Sequence, residues 1–195
     1  MLRIGALISG GGRTVLNLAA AIEREGIPAT IAVVIAHRPD LPGVERARGI
    51  GLPVHVTTAR GRQAIDDEVD ATLEAAKVDL VLLAGYLRHF RVAPRWSGRT
   101  INIHPSLLPR HGGPGMHGAH VHAAVLAAGD RESGCTVHVV DEVYERGPIL
   151  LQRRCPVLPG DSAETLAARV FAEECLALPD AVRRVASGEW RPPLG

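Results

Sequence analysis

The stretch Ile4-Gly5-Ala6-Leu7-Ile8-Ser9-Gly10-Gly11-Gly12-Arg13-Thr14 passes from a short apolar run, through glycine, into a helical pattern. Ile4 to Ile8 has the content of a buried strand. Thr14 to Glu25 puts Val15, Leu16, Leu18, Ala19 and Ile22 on one helical face. The same alternation continues outward. Thr30 to Ala36 is a second β-branched run, Gly43 to Ile50 is helical, and Pro53 to Val56 is a short third strand. Ala64 to Ala76 is a helix with Ile65, Val69 and Leu73 at helical spacing, and Leu80 to Ala84 is a fourth, fully apolar strand. Short apolar strands separated by helices predict a parallel sheet with helices on both faces. Thr100 to His104 is a fifth strand, followed by a Pro- and Gly-rich loop, Pro105 to Gly118, and a helix from Ala119 to Ala128. Cys135 to Val140 and Ile149 to Val157 lie too close in sequence for a parallel crossover, so they are expected to form an antiparallel edge. Ser162 to Ser187 closes the pattern as a helical segment expected to break near Pro179. Trp190 to Gly195 reads as loop. The expected architecture is one α/β, Rossmann-like domain spanning 1–195.

Composition narrows the function classes. The 195 residues are 46% apolar and 22% charged, which is globular and long enough to bury a core without staples. Lys and Arg number 22 against 21 Asp and Glu, for a net charge of +1. That balance argues against a nucleic-acid binder. Lys77 is the only lysine, so no P-loop lysine exists. Cys135, Cys155 and Cys175 form no CxxC pair and read as reduced thiols in a cytoplasmic protein. The N-terminal apolar run breaks at glycines, unlike a signal peptide, and Leu80 to Leu87 is too short to span a membrane.

Several motifs carry chemistry. The strand–glycine–helix junction at Ser9 to Thr14 offers bare backbone N–H groups and a helix dipole to an anion, or else a tight turn capped by Ser9 or Thr14. Val15 stands where a dinucleotide fingerprint needs a small residue, which favours a single phosphate over NAD or ATP. Asn102 and His104 alternate at the end of a strand and share a face, so both could reach one developing oxyanion, or both could be satisfied by the following loop. Asp141 ends a hydrophobic strand, either as a turn residue or as a carboxylate orienting a histidine. His111, His117, His120 and His122 lack the companions of a tetrahedral metal site, and no metal is expected. Arg88, His89, Phe90 and Arg91, with Arg95 and Arg99, form a cationic stretch suited to an anionic tail or to solvent.

Together these motifs resemble the phosphoribosylglycinamide formyltransferase family within the formyltetrahydrofolate transferases. The resemblance rests on ISGGG near the start, VLLAGYLRHF at Val81 to Phe90, INIHPSLLP at Ile101 to Pro109, and SGCTVHVVDE through GPILLQ. It runs from Ile4 to about Trp190. It implies direct formyl transfer from the co-substrate 10-formyltetrahydrofolate to the amine of 5-phosphoribosylglycinamide, in purine biosynthesis. Asn102, His104 and Asp141 take the catalytic roles: oxyanion donor, acid, and carboxylate supporting the histidine. Gly11, Gly12, Arg13, Thr14, Val15 and Leu16 match the acceptor's phosphate loop, and Glu174 matches the glutamate holding the glycyl amine. Leu87, Arg88, His89 and Phe90, with Arg62 and Asn102, match the folate site. Residues 1–85 then form a phosphate-binding half, and 86–195 a folate-binding and catalytic half. The partners implied are small molecules, with no nucleic acid or membrane, and the chain acts as a monomer or homodimer.

Three departures stand out. Arg13-Thr14 replaces the family's common Ser-Asn, the loop Arg110 to His120 is longer, and the turn Val143 to Arg146 is longer by one residue. They bear on the acceptor, so an amino-sugar formyltransferase or a formyltetrahydrofolate hydrolase is the alternative activity, with a non-catalytic nucleotide-binding module behind them. With strand one starting almost at the first residue and the helical pattern ending near the last, neither the further domain of a methionyl-tRNA formyltransferase nor the regulatory domain of the hydrolase is expected.

Overall fold

In the computed structural model, which describes residues 1–141 and 145–190, β1 (Leu2–Ile8) is buried on both faces. Ile4, Ala6 and Ile8 point into one core and Leu7 into the other. This two-sided burial is why the run reads as continuously apolar. Gly5 lies where Leu73 packs against the backbone: a Cβ there would sit 2.3 Å from the leucine methyl. β1 pairs in parallel with β2 (Ala29–Ala36) and β4 (Leu80–Leu83), β2 with β3 (Val54–Val56), and β4 with β5 (Thr100–His104). β6 (Glu132–Val139) joins β5 antiparallel and β7 (Ile149–Pro156) joins β6 antiparallel. The sheet order is β3-β2-β1-β4-β5-β6-β7, so the expected antiparallel edge is present.

Four helices cover the larger core: α1 (Arg13–Glu25), α2 (Pro42–Gly49), α4 (Ala119–Ala127) and α5 (Ala163–Ala186). α3 (Arg62–Ala75) covers the smaller core together with Trp96. The Thr72 hydroxyl caps back onto Glu68 within α3, and the Trp96 indole N–H donates to Asp70 at 2.6 Å, tying the segment before β5 to that helix.

The break expected at Pro179 does not occur: α5 runs through it without interruption, and Pro179 is buried. Proline lacks the N–H that would bond the carbonyl four residues earlier. Here that carbonyl belongs to Cys175, and Asn17 of α1 donates to it through Nδ2 at 2.9 Å. A partner from outside the helix fills the gap, and packing of Ala177, Leu178, Ala181 and Val182 in the core holds the rest. A capping box of Ser162 and Thr165 starts the helix. The tail reading at 191–195 and the turn residues Val143 and Tyr144 lie outside the described residues.

Candidate active site

The first element of the site is the turn between β1 and α1. Gly12 adopts a left-handed conformation (φ 67°) at the helix N-cap, and no side chain caps the helix. The capped-turn alternative therefore falls away: the Ser9 hydroxyl accepts from the Leu87 N–H at 3.0 Å, across the sheet. Gly43 at the start of α2 donates its N–H to the Gly10 carbonyl at 3.1 Å, and Arg46 donates to the Gly11 carbonyl at 3.0 Å. The glycine turn is thus braced from behind, with uncapped N–H groups facing outward, the geometry of an anion site. Val15 and Leu16 do not share in this face through their side chains. Val15 is 1% exposed in the core, and the Leu16 N–H returns to the Gly12 carbonyl at 3.0 Å. Arg13 does face the cleft, its guanidinium 3.9 Å from the centroid of the Phe171 ring.

The second element is the end of β5. Asn102 and His104 sit two apart, and β6 beside them supplies His138. The Asn102 amide Nδ2 meets His138 Nε2 at 3.2 Å, and His138 Nδ1 meets the Val139 carbonyl at 2.9 Å. These partners assign a proton to Nδ1 and make Nε2 the acceptor. Burial pushes His138 below the ordinary histidine range, consistent with this neutral tautomer. One N–H of the Asn102 amide is thereby directed at His138, and its second is left for the cleft.

His104 is 2% exposed. Its Nδ1 lies 2.8 Å from Glu145 Oε1, and its Nε2 lies 3.0 Å from the His111 carbonyl. Both neighbours are acceptors, so both bonds require a proton on each ring nitrogen: the arrangement suits an imidazolium. The second oxygen of Glu145 accepts from the Gly113 N–H. Burial pushes the Glu145 carboxyl up, but the bonds from His104 and Gly113 outweigh it and hold the group below its ordinary range.

A second carboxylate joins the expected Asp141 around the catalytic residues. The carboxylate against His104 is that of Glu145, whereas Asp141 is exposed beyond the end of β6 and lines the neighbouring chamber with Asn102 and His138. The physical reason is the return path of the turn. Gly147 packs directly on the Val139 carbonyl, where a Cβ would sit at 2.0 Å, and this close return carries Glu145 back over His104.

The loop after β5 encloses His104. Thr136 Oγ1 donates to the Ser106 carbonyl at 2.6 Å and accepts from the Leu108 N–H at 3.0 Å, which pins the loop's start. Farther on, His111 (φ 53°) and Arg110 both bond the Asp130 carboxylate, His111 Nε2 at 2.7 Å. The His111 bond is the largest influence lowering the Asp130 carboxyl, with Arg110 adding to it.

Two adjoining chambers meet at these residues. One is lined by Tyr86, Arg88, His89, Phe90, Asn102 and Asp141. The other is lined by Arg13, Thr14, Leu87, His104, Phe171 and Glu174. Tyr86, Asn102 and Glu145 belong to both walls. Arg62, first residue of α3, borders a hollow with Arg88 and His89 beside the first chamber. In the second chamber, burial pushes the Glu174 carboxyl up to about 7, while the charges of His104 and Arg13 oppose the rise. His122 also lines this chamber, and burial followed by the His104 charge lowers it. Tyr86, His138, Glu145 and Phe171 are the residues that sequence reading missed. Tyr86 and His138 stand inside quoted motifs but carry no pattern that separates them from core positions. Among the described residues, no group of three or more His, Cys, Asp or Glu side chains is placed to hold a metal ion, and no helix is long and apolar enough to cross a membrane.

The family model for formyl transferases matches residues 2–182, the sheet and all the site elements described above. The chain belongs to the formyl transferase family. Among family members, it is 35% identical to the phosphoribosylglycinamide formyltransferase of Escherichia coli K12, over 97% of this chain and 90% of that one. It is 41% identical to the trifunctional purine biosynthetic protein adenosine-3 of Drosophila pseudoobscura pseudoobscura, over 97% of this chain but only 14% of that much longer protein. The solved structure of glycinamide ribonucleotide transformylase 1 from Symbiobacterium toebii superposes with a TM-score of 0.86 at 42% identity, covering 96% of this chain and 89% of that one. For phosphoribosylglycinamide formyltransferase from Brucella melitensis the TM-score is 0.87 at 38% identity, with 98% of both chains covered.

Proposed function

We propose that this formyl transferase moves the formyl group of 10-formyltetrahydrofolate onto the amine of 5-phosphoribosylglycinamide, a step of purine biosynthesis carried out in the cytoplasm. The observation that carries the reading is the meeting of two chambers at Asn102, with the His104–Glu145 pair beside it. The chamber of Arg88, His89 and Phe90, with Arg62 nearby, receives the folate. The chamber between the Gly11–Thr14 turn and Glu174 receives the acceptor, phosphate at the helix N-terminus and glycyl amine toward Glu174.

The residues then divide the work. Asn102 turns its second N–H to the formyl oxygen, and His104 moves its Nε2–H from the His111 carbonyl to that same region, so positive charge meets the developing oxyanion. The acceptor amine forms the new C–N bond, and the bond from the formyl carbon to the folate nitrogen breaks. His104 supplies the proton that the departing nitrogen needs, and Glu145 stabilises the imidazolium until then. Glu174, with its carboxyl raised to about 7, is matched to accept a proton from the amine near neutral pH. Glu145 thus shares the supporting role that the resemblance assigns to Asp141.

The test is release of tetrahydrofolate from 10-formyltetrahydrofolate, measured with and without phosphoribosylglycinamide. Turnover that depends on that acceptor supports the reading. Acceptor-independent turnover identifies a hydrolase, turnover with an amino sugar alone a different acceptor, and no turnover a binding module.

A further inference from the structure

Helices α1 and α5 are joined by the Arg183–Glu25 ion pair at the far end of α1 and by two contacts nearer the acceptor chamber, one lining it and one behind it. At one, the Arg13 guanidinium lies 3.9 Å from the centroid of the Phe171 ring. At the other, Asn17 Nδ2 donates to the Cys175 carbonyl at 2.9 Å. Both pairs are spaced i, i+4 on their own helix, Arg13 with Asn17 and Phe171 with Cys175, so each helix presents one face to the other. Glu174 lies beside the second contact, and the uncapped end of α1 lies beside the first. Pro179, four residues on, has no N–H to give the Cys175 carbonyl, so Asn17 supplies the donor that the helix lacks there. Neither Asn17 nor Cys175 lines the chamber itself.

We propose that Asn17 is a positioning residue which, together with the Phe171 stack, fixes the span between the anion-binding turn and Glu174, and so selects phosphorylated amines of one particular phosphate-to-amine length. The inference rests on the acceptor reading given above. Arg13 stacked on Phe171 keeps its guanidinium edge directed toward an anion at the turn. Asn17 stops α5 from sliding along α1, which would carry Glu174 away from the amine. Nothing in this clamp reaches the folate chamber, so donor binding is independent of it.

The experiment compares wild type, Asn17→Leu, Phe171→Leu, Pro179→Ala and the double variant Asn17→Leu/Pro179→Ala. In Asn17→Leu the acceptor KM should rise about tenfold, the scale of one lost hydrogen bond, while the KM for 10-formyltetrahydrofolate is unchanged and kcat stays within about threefold. Phe171→Leu should shift the same constant in the same direction. Pro179→Ala restores an N–H for the Cys175 carbonyl, so the double variant satisfies that carbonyl without tying the two helices. If the double variant recovers thermal stability but keeps the raised acceptor KM, the clamp stands. If the KM recovers together with stability, Asn17 merely satisfies a bare carbonyl and the proposal is overturned. An unchanged KM in Asn17→Leu overturns it as well. Wild-type protein that does not use phosphoribosylglycinamide at all sinks the acceptor reading and the clamp with it, whereas normal wild-type turnover with unmoved variants sinks the clamp alone. Should Asn17→Leu fail to fold, the double variant, whose carbonyl is satisfied, decides the question.

Discussion

His104 is held between a carboxylate and a carbonyl, and these two acceptors have different consequences. Glu145 contributes a negative charge beside a buried imidazole. Its isosteric replacement, Glu145→Gln, can still accept a bond from Nδ1 but stabilises the imidazolium far less. We expect kcat to fall by about 10²–10⁴, the usual weight of general acid–base chemistry, with both KM values nearly constant. Asp141→Asn, on the exposed side of the neighbouring chamber, should cost less. A steady-state comparison of the two variants checks the ranking, and a larger loss in Asp141→Asn would give that residue the larger share of the role. Glu174 makes a separate prediction about stability. Its carboxyl is raised by burial to about 7, against an ordinary value of 4.5. Between those values the unfolded chain has lost a proton that the folded chain keeps, so this group's contribution to stability declines as pH rises from 4.5 to 7 and is level above 7. The decline is at most about 3 kcal/mol. Urea denaturation at about pH 5 and about pH 8, either side of the raised value, should therefore show a smaller loss toward alkaline pH in Glu174→Gln than in wild type. Equal losses would contradict the buried assignment.

At the scale of elements, the β1–α1 turn depends on α2 as much as on its own glycines. A Cβ on Gly43 would lie 2.6 Å from the Gly10 carbonyl oxygen and 2.9 Å from the Gly12 nitrogen. Backbone on that side cannot give way as a flexible side chain could. Gly43→Ala should push the turn outward, cost about 1–3 kcal/mol as overpacked sites do, and raise the acceptor KM while leaving the donor KM alone. Kinetics combined with thermal melting would detect both changes, and an unaltered acceptor KM would show that the turn does not carry the phosphate. The turn itself was legible because the strand, glycine and helix signals are contiguous. α5 was legible as a helix but not as an unbroken one. Proline advertises a missing donor locally, while the donor that replaces it, Asn17, lies 158 positions from the carbonyl it serves and carries no sequence mark. Glu145 escaped for a related reason: which carboxylate returns to His104 depends on how the turn packs Gly147 against Val139, a contact invisible in a string of residues.

For the whole molecule, the cleft's location follows from topology. β1 has β2 on one side and β4 on the other, so the chain leaves the carboxyl ends of neighbouring strands in opposite directions and a crevice opens between them. Strand alternation made the sheet and its antiparallel edge readable, and with them the end at which a site belongs. It did not make readable that Phe171 and Glu174, from the last helix, would complete a chamber begun at Gly11. The loop over His104 carries one more implication, for fidelity. With the His111 carbonyl on Nε2 and Asp130 anchoring His111, the donor meets a histidine whose proton is already engaged. Water is always available to a bound formyl group, and an idle acid would invite wasteful hydrolysis. Asp130→Ala, which frees the His111 and Arg110 side chains, should raise donor breakdown in the absence of acceptor relative to wild type, by severalfold on the scale of a lost hydrogen bond. No rise would mean that the loop does not guard the reagent. The same contact that delays the acid therefore protects the one-carbon unit from being squandered before its recipient arrives.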